Sequence, residues 1–261
     1  MQFKRIKLLM LILFLLLDIF LFNWWRAGRV VNDQVTDANV NIIDEMKNQK
    51  IRLPQFSTKV RYSSYVAAQR GDKQILDKVS LGKNATISEP KDKNGVIVKF
   101  KTAKSLEKNE TSRENEFDSQ SIAAPAGYRY NNILTLDKNN TDRVYSQHVF
   151  GLPVIADYGI MTFQYNNVDK VTGFTQRKLI NIEKLRDDRA TITEEEAIIA
   201  LYRYNEIGSG DRLSDGQLSY DTTIHVNGFD IYLPVWAFEA YSGHEKYILK
   251  INAFTGENMS E

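Results

Sequence analysis

LLMLILFLLLDIFLF, Leu8 to Phe22, is the stretch whose reading sets the architecture of this chain. Lys4, Arg5 and Lys7 precede it, and Trp24, Trp25 and Arg26 follow it. A helix from Ile6 to Trp25, at ~1.5 Å per residue, spans ~30 Å, the thickness of a bilayer's hydrocarbon core. A helix satisfies its own backbone polar groups, so lipid tolerates it. The tryptophans suit an interface, where amphipathic rings sit among headgroups.

A cleaved signal peptide shares a basic start and an apolar core. Here the core runs into NWWRAGRVV, bulky and basic, without a small-x-small cleavage site. With zero cysteines, lipoprotein processing is ruled out. We therefore expect an uncleaved anchor. Lys4, Arg5, Lys7 and the terminal amine outweigh Arg26 and Arg29, and Asp33 and Asp37 soon follow. The charge asymmetry places residues 1–7 in the cytoplasm, 8–25 in the membrane and the bulk outside. Asp18 interrupts the apolar run. A carboxylate near the centre of a membrane helix costs ~2.5–3.5 kcal/mol on insertion scales. It is either a tolerated residue that snorkels or protonates, or a polar contact to another membrane helix.

Lys and Arg number 34 against 33 Asp and Glu, which leaves no net field to draw nucleic acid. The missing cysteines also exclude disulfides, thiolate catalysis and cysteine-ligated metals. Thirteen Tyr and thirteen Phe with only five Pro favour a strand-rich core over a disordered stalk.

Beyond the membrane, Val31, Val35, Ala38, Ile42 and Met46 form one face of a second, amphipathic helix over residues 32–48. Gly28 is a joint and Leu53-Pro54 a stop. Val60, Tyr62 and Val66 suggest an irregular strand, and Val96, Val98 and Phe100 alternate onto one face of another. The polar run Lys101–Gln120 reads as an exposed linker. Asn84-Ala85-Thr86 and Asn109-Glu110-Thr111 match glycosylation acceptors, a pattern that chance also produces. Tyr128, Tyr130 and Leu134 lead towards Val144–Phe150. Ile160–Tyr165 and Val171–Leu179 flank a five-residue hairpin loop, Asn166–Lys170. Thr193 and Glu196 make a capping box, with Ala197, Leu201 and Tyr204 as the buried stripe and Gly208 as the end. Glu194, Glu195 and Glu196 suit the positive end of the helix dipole. The last stretch alternates through LSYDTTIHV, turns at Asn227-Gly228, and closes with FDIYLPVWAFEAY and KYILKINAFTGE. Residues 191–257 resemble the PepSY-type half-domain, whose closing strand ends in Asp or Asn, small residues, then Thr-Gly-Glu. Here that ending is Asn252-Ala253-Phe254-Thr255-Gly256-Glu257.

The expected fold class is α+β. An N-terminal transmembrane helix precedes an extracytoplasmic body of two antiparallel-sheet-plus-helix subdomains, 30–125 and 126–261, the second PepSY-like.

Chemistry is thinly represented. His148, His225 and His244 lack metal spacing, and Gly243-His244-Glu245 has no second histidine four residues on. Gly208-Ser209-Gly210 is not a nucleophile elbow, and no phosphate-binding loop occurs. Asp157 and Glu239 are the carboxylates best placed for acid–base work, though separation in space decides such a pair. Trp236, Phe238 and Tyr241 could line a groove, but an aromatic core is the simpler reading. Neither metal nor cofactor is expected.

The order of features resembles the YycI family. It begins with the short basic start and a membrane helix bearing Leu17-Asp18-Ile19-Phe20-Leu21, then Gly151-Leu152-Pro153-Val154. Gly173-Phe174-Thr175-Gln176, the Thr193–Glu196 cap, Leu233-Pro234-Val235-Trp236 and Thr255-Gly256-Glu257 complete it. The resemblance implies a non-enzymatic, single-pass regulator of a cell-wall-sensing histidine kinase in low-GC Gram-positive bacteria. It implies as partners the kinase, a YycH-type single-pass protein and membrane lipid, with no nucleic acid. Leu17, Asp18, Phe20, Leu21, Trp24 and Trp25 are then the helix-pairing candidates. Two other readings stand beside it: a PepSY-like module that binds a wall ligand or inhibits a protease, and an anchored wall hydrolase.

Overall fold

The computed structural model describes residues 2–72, 85–106, 121–122, 124–135 and 142–260. The chain forms two units, residues 1–49 and 50–261.

The first unit is one helix, α1 (Gln2–Asn48). Its apolar stretch Ile6–Asn23 is long enough to cross a membrane, and none of it is buried. Gly28 is no joint but lies inside the helix. A single interior glycine costs only ~1 kcal/mol against alanine, too little to break so long a ladder. Of the expected amphipathic face, Ile42 is half-buried and Met46 buried. The side chains of Val31, Val35 and Ala38 lie outside the described residues. The helix stops at Asn48, before Leu53-Pro54, where Lys50 turns the chain with φ 62°.

The second unit carries sixteen described strands and a short helix. They begin with β1 (Tyr62–Ser63), β2 (Val66–Arg70), β3 (Ala85–Ser88), β4 (Val96–Leu106) and β5 (Ser121–Ile122). Next come β6 (Tyr128–Tyr130), β7 (Asp142–Val149), β8 (Leu152–Pro153), β9 (Ile160–Tyr165), β10 (Val171–Arg177) and β11 (Leu179–Lys184). After β12 (Arg189–Ala190) and helix α2 (Glu194–Arg203) follow β13 (Arg212–Leu213), β14 (Gln217–Val226), β15 (Phe229–Ser242) and β16 (Glu245–Asn252). Part of the expected linker is strand, since Lys101–Leu106 ends β4. Residues 107–120, with the Asn109 acceptor, lie outside the described residues, as does Asn84.

Eight strands make one sheet, ordered β3-β4-β10-β9-β7-β6, with β5 beside β4 and β8 beside β7. Six make the other, ordered β11-β2-β15-β13, with β14 and β16 also on β15. β1 and β12 form a separate ribbon. All pairs are antiparallel except β4 with β5. The sheets do not divide at residue 125: β4 pairs with β10, and β2 pairs with both β11 and β15. Pairing follows complementary faces and not chain order, so an early strand completes the late sheet.

Alternation explains the first core. β9 buries Met161, Phe163 and Tyr165 while its other residues stay half-exposed, and Val96, Val98 and Phe174 join them. Phe163 lies edge-on to Tyr145 at 5.3 Å and tilted to Phe174 at 5.8 Å. In the second sheet Val66, Ala68, Tyr220 and Tyr232 pack on Val154 and Leu179. β15 is buried along most of its length because β14 and β13 cover one edge, β2 and β16 the other.

The turns follow their residue chemistry. Asn166 Oδ1 accepts from the Val168 and Lys170 amides, which closes the five-residue hairpin. Asn227 and Gly228 both have positive φ, the type I′ signature. α2 has the expected capping box, with Thr193 accepting from the Glu196 amide at 3.2 Å and Glu196 accepting from the Thr193 amide at 2.7 Å. Ala197 and Leu201 are buried, but Tyr204 is exposed and forms the C-cap. The helix ends there because Asn205 takes φ 60°, ahead of Gly208. Asn252 organises the closing turn: its Oδ1 accepts from Phe254 N–H at 2.9 Å, and its backbone accepts from Gly256 N–H at 2.8 Å.

Candidate functional site

On α1 the stretch singled out from the sequence is a continuous apolar surface. Leu17, Phe20 and Leu21 are exposed at 50%, 64% and 47%, and Asp18 is exposed among them. With about 100° of turn per residue, backbone positions 17, 18, 20, 21, 24 and 25 fall within an arc of about 160°. Of Trp24 and Trp25 only the helical backbone is described. Such an arc is one face of a helix, apolar apart from a single carboxylate. Water would not tolerate that much exposed hydrocarbon in one patch.

In the body, the residues weighed for chemistry take structural roles. Trp236 and Phe238 are fully buried, and the Trp236 indole donates to the Ile192 carbonyl at 2.9 Å. They are core and not a groove. Tyr241 donates to Glu239 at 2.8 Å, and Glu239, nearly buried, pairs with Lys246 at 3.0 Å. Lys246 also donates to the carbonyls of Asn132 and Thr135, so this charge is fully engaged in holding a loop. Asp157 is exposed beside a shallow hollow of about 350 Å³ lined by Thr162, Gln164, Thr175 and Arg177. It lies in the loop between β8 and β9, whereas Glu239 is in β15 and is held by Tyr241 and Lys246. Among the described residues, no group of three or more potential metal ligands gathers. His148 is half-buried, which lowers its pKa, and its Nδ1 lies 3.3 Å from the Ser146 carbonyl. His244 sits on an exposed turn.

A network that sequence reasoning missed joins the sheets of this unit. Asp230 of β15 is 1% exposed and receives both Arg70 Nε and Nη2 at 2.7 Å. His225 Nδ1 stands 2.7 Å from the same carboxylate. Arg70 donates to the Tyr158 hydroxyl at 3.1 Å, which donates to Asp92 at 2.6 Å, and Arg177 completes the ring at 3.4 Å from Asp92. Burial pushes the Asp230 pKa up, but the Arg70 and His225 contacts outweigh it and hold it below the usual value. The Tyr158 hydrogen bond lowers the pKa of Asp92, and burial together with that bond raises Tyr158. No sequence pattern announces this ring, because Arg70 and Asp230 are 160 positions apart. Glu194 is a second such case: it accepts from the amides of Ser57 at 3.0 Å and Gly216 at 2.7 Å.

The sequence model of the family described as YycI protein matches residues 31–254. No curated protein matches the chain. Among solved structures, an uncharacterized protein from Eubacterium rectale is 12% identical with a TM-score of 0.40, covering 81% of this chain and 91% of that one. The Bacillus megaterium YpeB C-terminal domain is 11% identical with a TM-score of 0.36, covering 85% and 94%.

Proposed function

The chain belongs to the YycI family, a family of regulators of a two-component system, and from that premise we propose how it acts. It is a single-pass membrane protein that biases a cell-wall-sensing histidine kinase, together with a YycH-type partner. Residues 1–7 lie in the cytoplasm, 8–25 cross the membrane, and the sheet-rich body stands outside the cell. The body's closing segment, Thr191 to Glu257, is its PepSY-like part. The exposed apolar face of α1 carries this reading. In lipid that face needs no cover, and Leu17, Phe20, Leu21, Trp24 and Trp25 can pack against a neighbouring helix around the Asp18 carboxylate. A signalling kinase moves between helix arrangements that differ by a few kcal/mol. A bound helix that fits one arrangement better shifts its output by that difference.

The test is an exchange of Lys7–Trp25 for an unrelated anchor of equal length and orientation. Export and folding should persist, while co-purification with the kinase and the partner weakens. A side-chain hydrogen bond in lipid contributes ~0.6–2 kcal/mol, so Asp18→Leu alone should weaken the complex about three- to thirtyfold. If the exchanged anchor pairs as well as the native one, the membrane face plays no part in the contact.

A further inference from the structure

We infer that the β1/β12 ribbon is a docking edge for an extended, acidic segment of a protein partner. Arg61 and Arg189 lie on one face of this ribbon. Tyr62 pairs with Ala190 and Ser63 with Arg189, and Thr191 continues the ladder by donating to the Arg61 carbonyl at 2.9 Å. Both guanidiniums stack on rings of the body, Arg61 5.3 Å from the Trp236 centroid and Arg189 4.6 Å from that of Phe254. Those rings are themselves fixed, Trp236 fully buried and Phe254 9% exposed. Stacking of this kind holds a guanidinium in place before anything binds it.

Among the described residues three stacked arginines lack a counter-charge, Arg61, Arg189 and Arg212 on Tyr241 at 4.2 Å, and of these only Arg61 and Arg189 share one ribbon. Arg70, Arg143 and Arg177 also stack on tyrosines, and each has an aspartate: Asp230, Asp169 and Asp92. Among the described residues, neither Arg61 nor Arg189 has a carboxylate within ion-pair distance.

The backbone points the same way. The Thr191–Arg61 bond makes Tyr62 and Ala190 a non-hydrogen-bonded pair, so the Tyr62 N–H and C=O face away from β12. Among the described residues nothing pairs with them. Tyr62 is 68% exposed, and Val60 and Leu185 nearby are 44% and 46% exposed. Tyrosine and arginine around an open strand edge suit a protein strand, which adds backbone bonds along β1. A phosphate polymer would use the charges but leave the edge and the apolar groups unmatched.

Spacing narrows the occupant further. Arg61 and Arg189 are diagonal neighbours across the ribbon, which stand ~7–8 Å apart. On an added strand, alternate residues share a face at ~6.6–6.8 Å. A segment with acids two positions apart therefore presents one carboxylate to each guanidinium.

The proposal does not depend on which helix pairs with α1. Full-length protein in nanodiscs is titrated with a labelled, capped peptide, Thr-Glu-Val-Glu-Val-Glu-Thr. Controls are the same composition with no acids two positions apart, Thr-Glu-Glu-Val-Val-Glu-Thr, and an oligomer of glycerol phosphate. The alternating peptide should bind at least threefold tighter than that control peptide and tighter than the oligomer. R61Q/R189Q should weaken it at least tenfold. Tyr62→Pro, which removes the outward N–H without touching the core, should weaken it at least threefold and serves if the double variant does not fold. No binding at millimolar peptide overturns the proposal. So does a double variant or a Tyr62→Pro variant that binds as the native chain does, equal binding of both peptides, or tighter binding of the glycerol phosphate oligomer.

Discussion

Replacing Glu194 should be far more damaging than its place in a run of three glutamates suggests. Its carboxylate is 5% exposed, and each oxygen serves one backbone amide, Ser57 through Oε2 and Gly216 through Oε1. Removing the carboxylate leaves two amides without an acceptor. Each such loss costs ~1–3 kcal/mol when the group is buried. Both bonds are only partly buried, so water recovers some of that, and Glu194→Ala should cost ~2–4 kcal/mol. Glu194→Gln keeps one acceptor oxygen but turns an NH₂ towards the other amide, and should fall between alanine and the native residue. Glu195→Ala is the control, since it removes the same charge from the same helix end. The dipole contribution alone is ~0.3–1 kcal/mol. Urea melts of a chain trimmed to residues 30–261 read the difference, with the slope unchanged if the native state keeps its compactness. If the Glu194→Ala and Glu195→Ala midpoints convert to stabilities within about 0.5 kcal/mol of each other, the anchoring role is wrong and only the dipole matters.

Leu201→Ala should cost ~2–5 kcal/mol in the same melts, because a fully buried side chain leaves a cavity. Tyr204→Ala should cost well under one, its ring being 48% exposed. Asp230 is held below its unfolded pKa, so its stabilisation is present above about pH 4 and lost as pH falls towards the folded value. Asp230→Asn should therefore lower stability at pH 6 and flatten the decline between pH 5 and pH 2.5, and an unchanged acid limb would refute that linkage. Alkaline phosphatase fused after Arg29 should be active in cells, with the full-length chain staying in the membrane fraction. Release of a chain shortened by about 25 residues would refute the anchor.

Much of this fold was legible because its causes are local. The Thr193–Glu196 cap, the Asn166–Lys170 loop, the Asn227-Gly228 turn and the alternation of Val96, Val98 and Phe100 each depend on residues within a few positions. The errors were local competitions read the wrong way. Asn205 reached the left-handed region before Gly208 could end α2, and Lys50 ended α1 before Leu53-Pro54. Asn and Lys can adopt that conformation at modest cost, so glycine and proline are not the only stops. Of the six positions proposed for helix pairing, the sequence alone supplied the set, and the helix adds that they share one face.

By itself the sequence determined the apolar helix, the strand-rich body, the helix capped at Thr193 and the turns between strands, together with the order of motifs that marks the family. Tertiary structure alone decided that β2 joins β15, so that Arg70 meets Asp230, and that Ser57 and Gly216 converge on Glu194. It also decided that Arg61 and Arg189 share a face with no carboxylate among the described residues to answer them. The reason is physical. Helix caps and turns are stabilised by bonds that close over three or four residues, whereas strand pairing is chosen by burial of whole faces, and burial carries no record of distance along the chain.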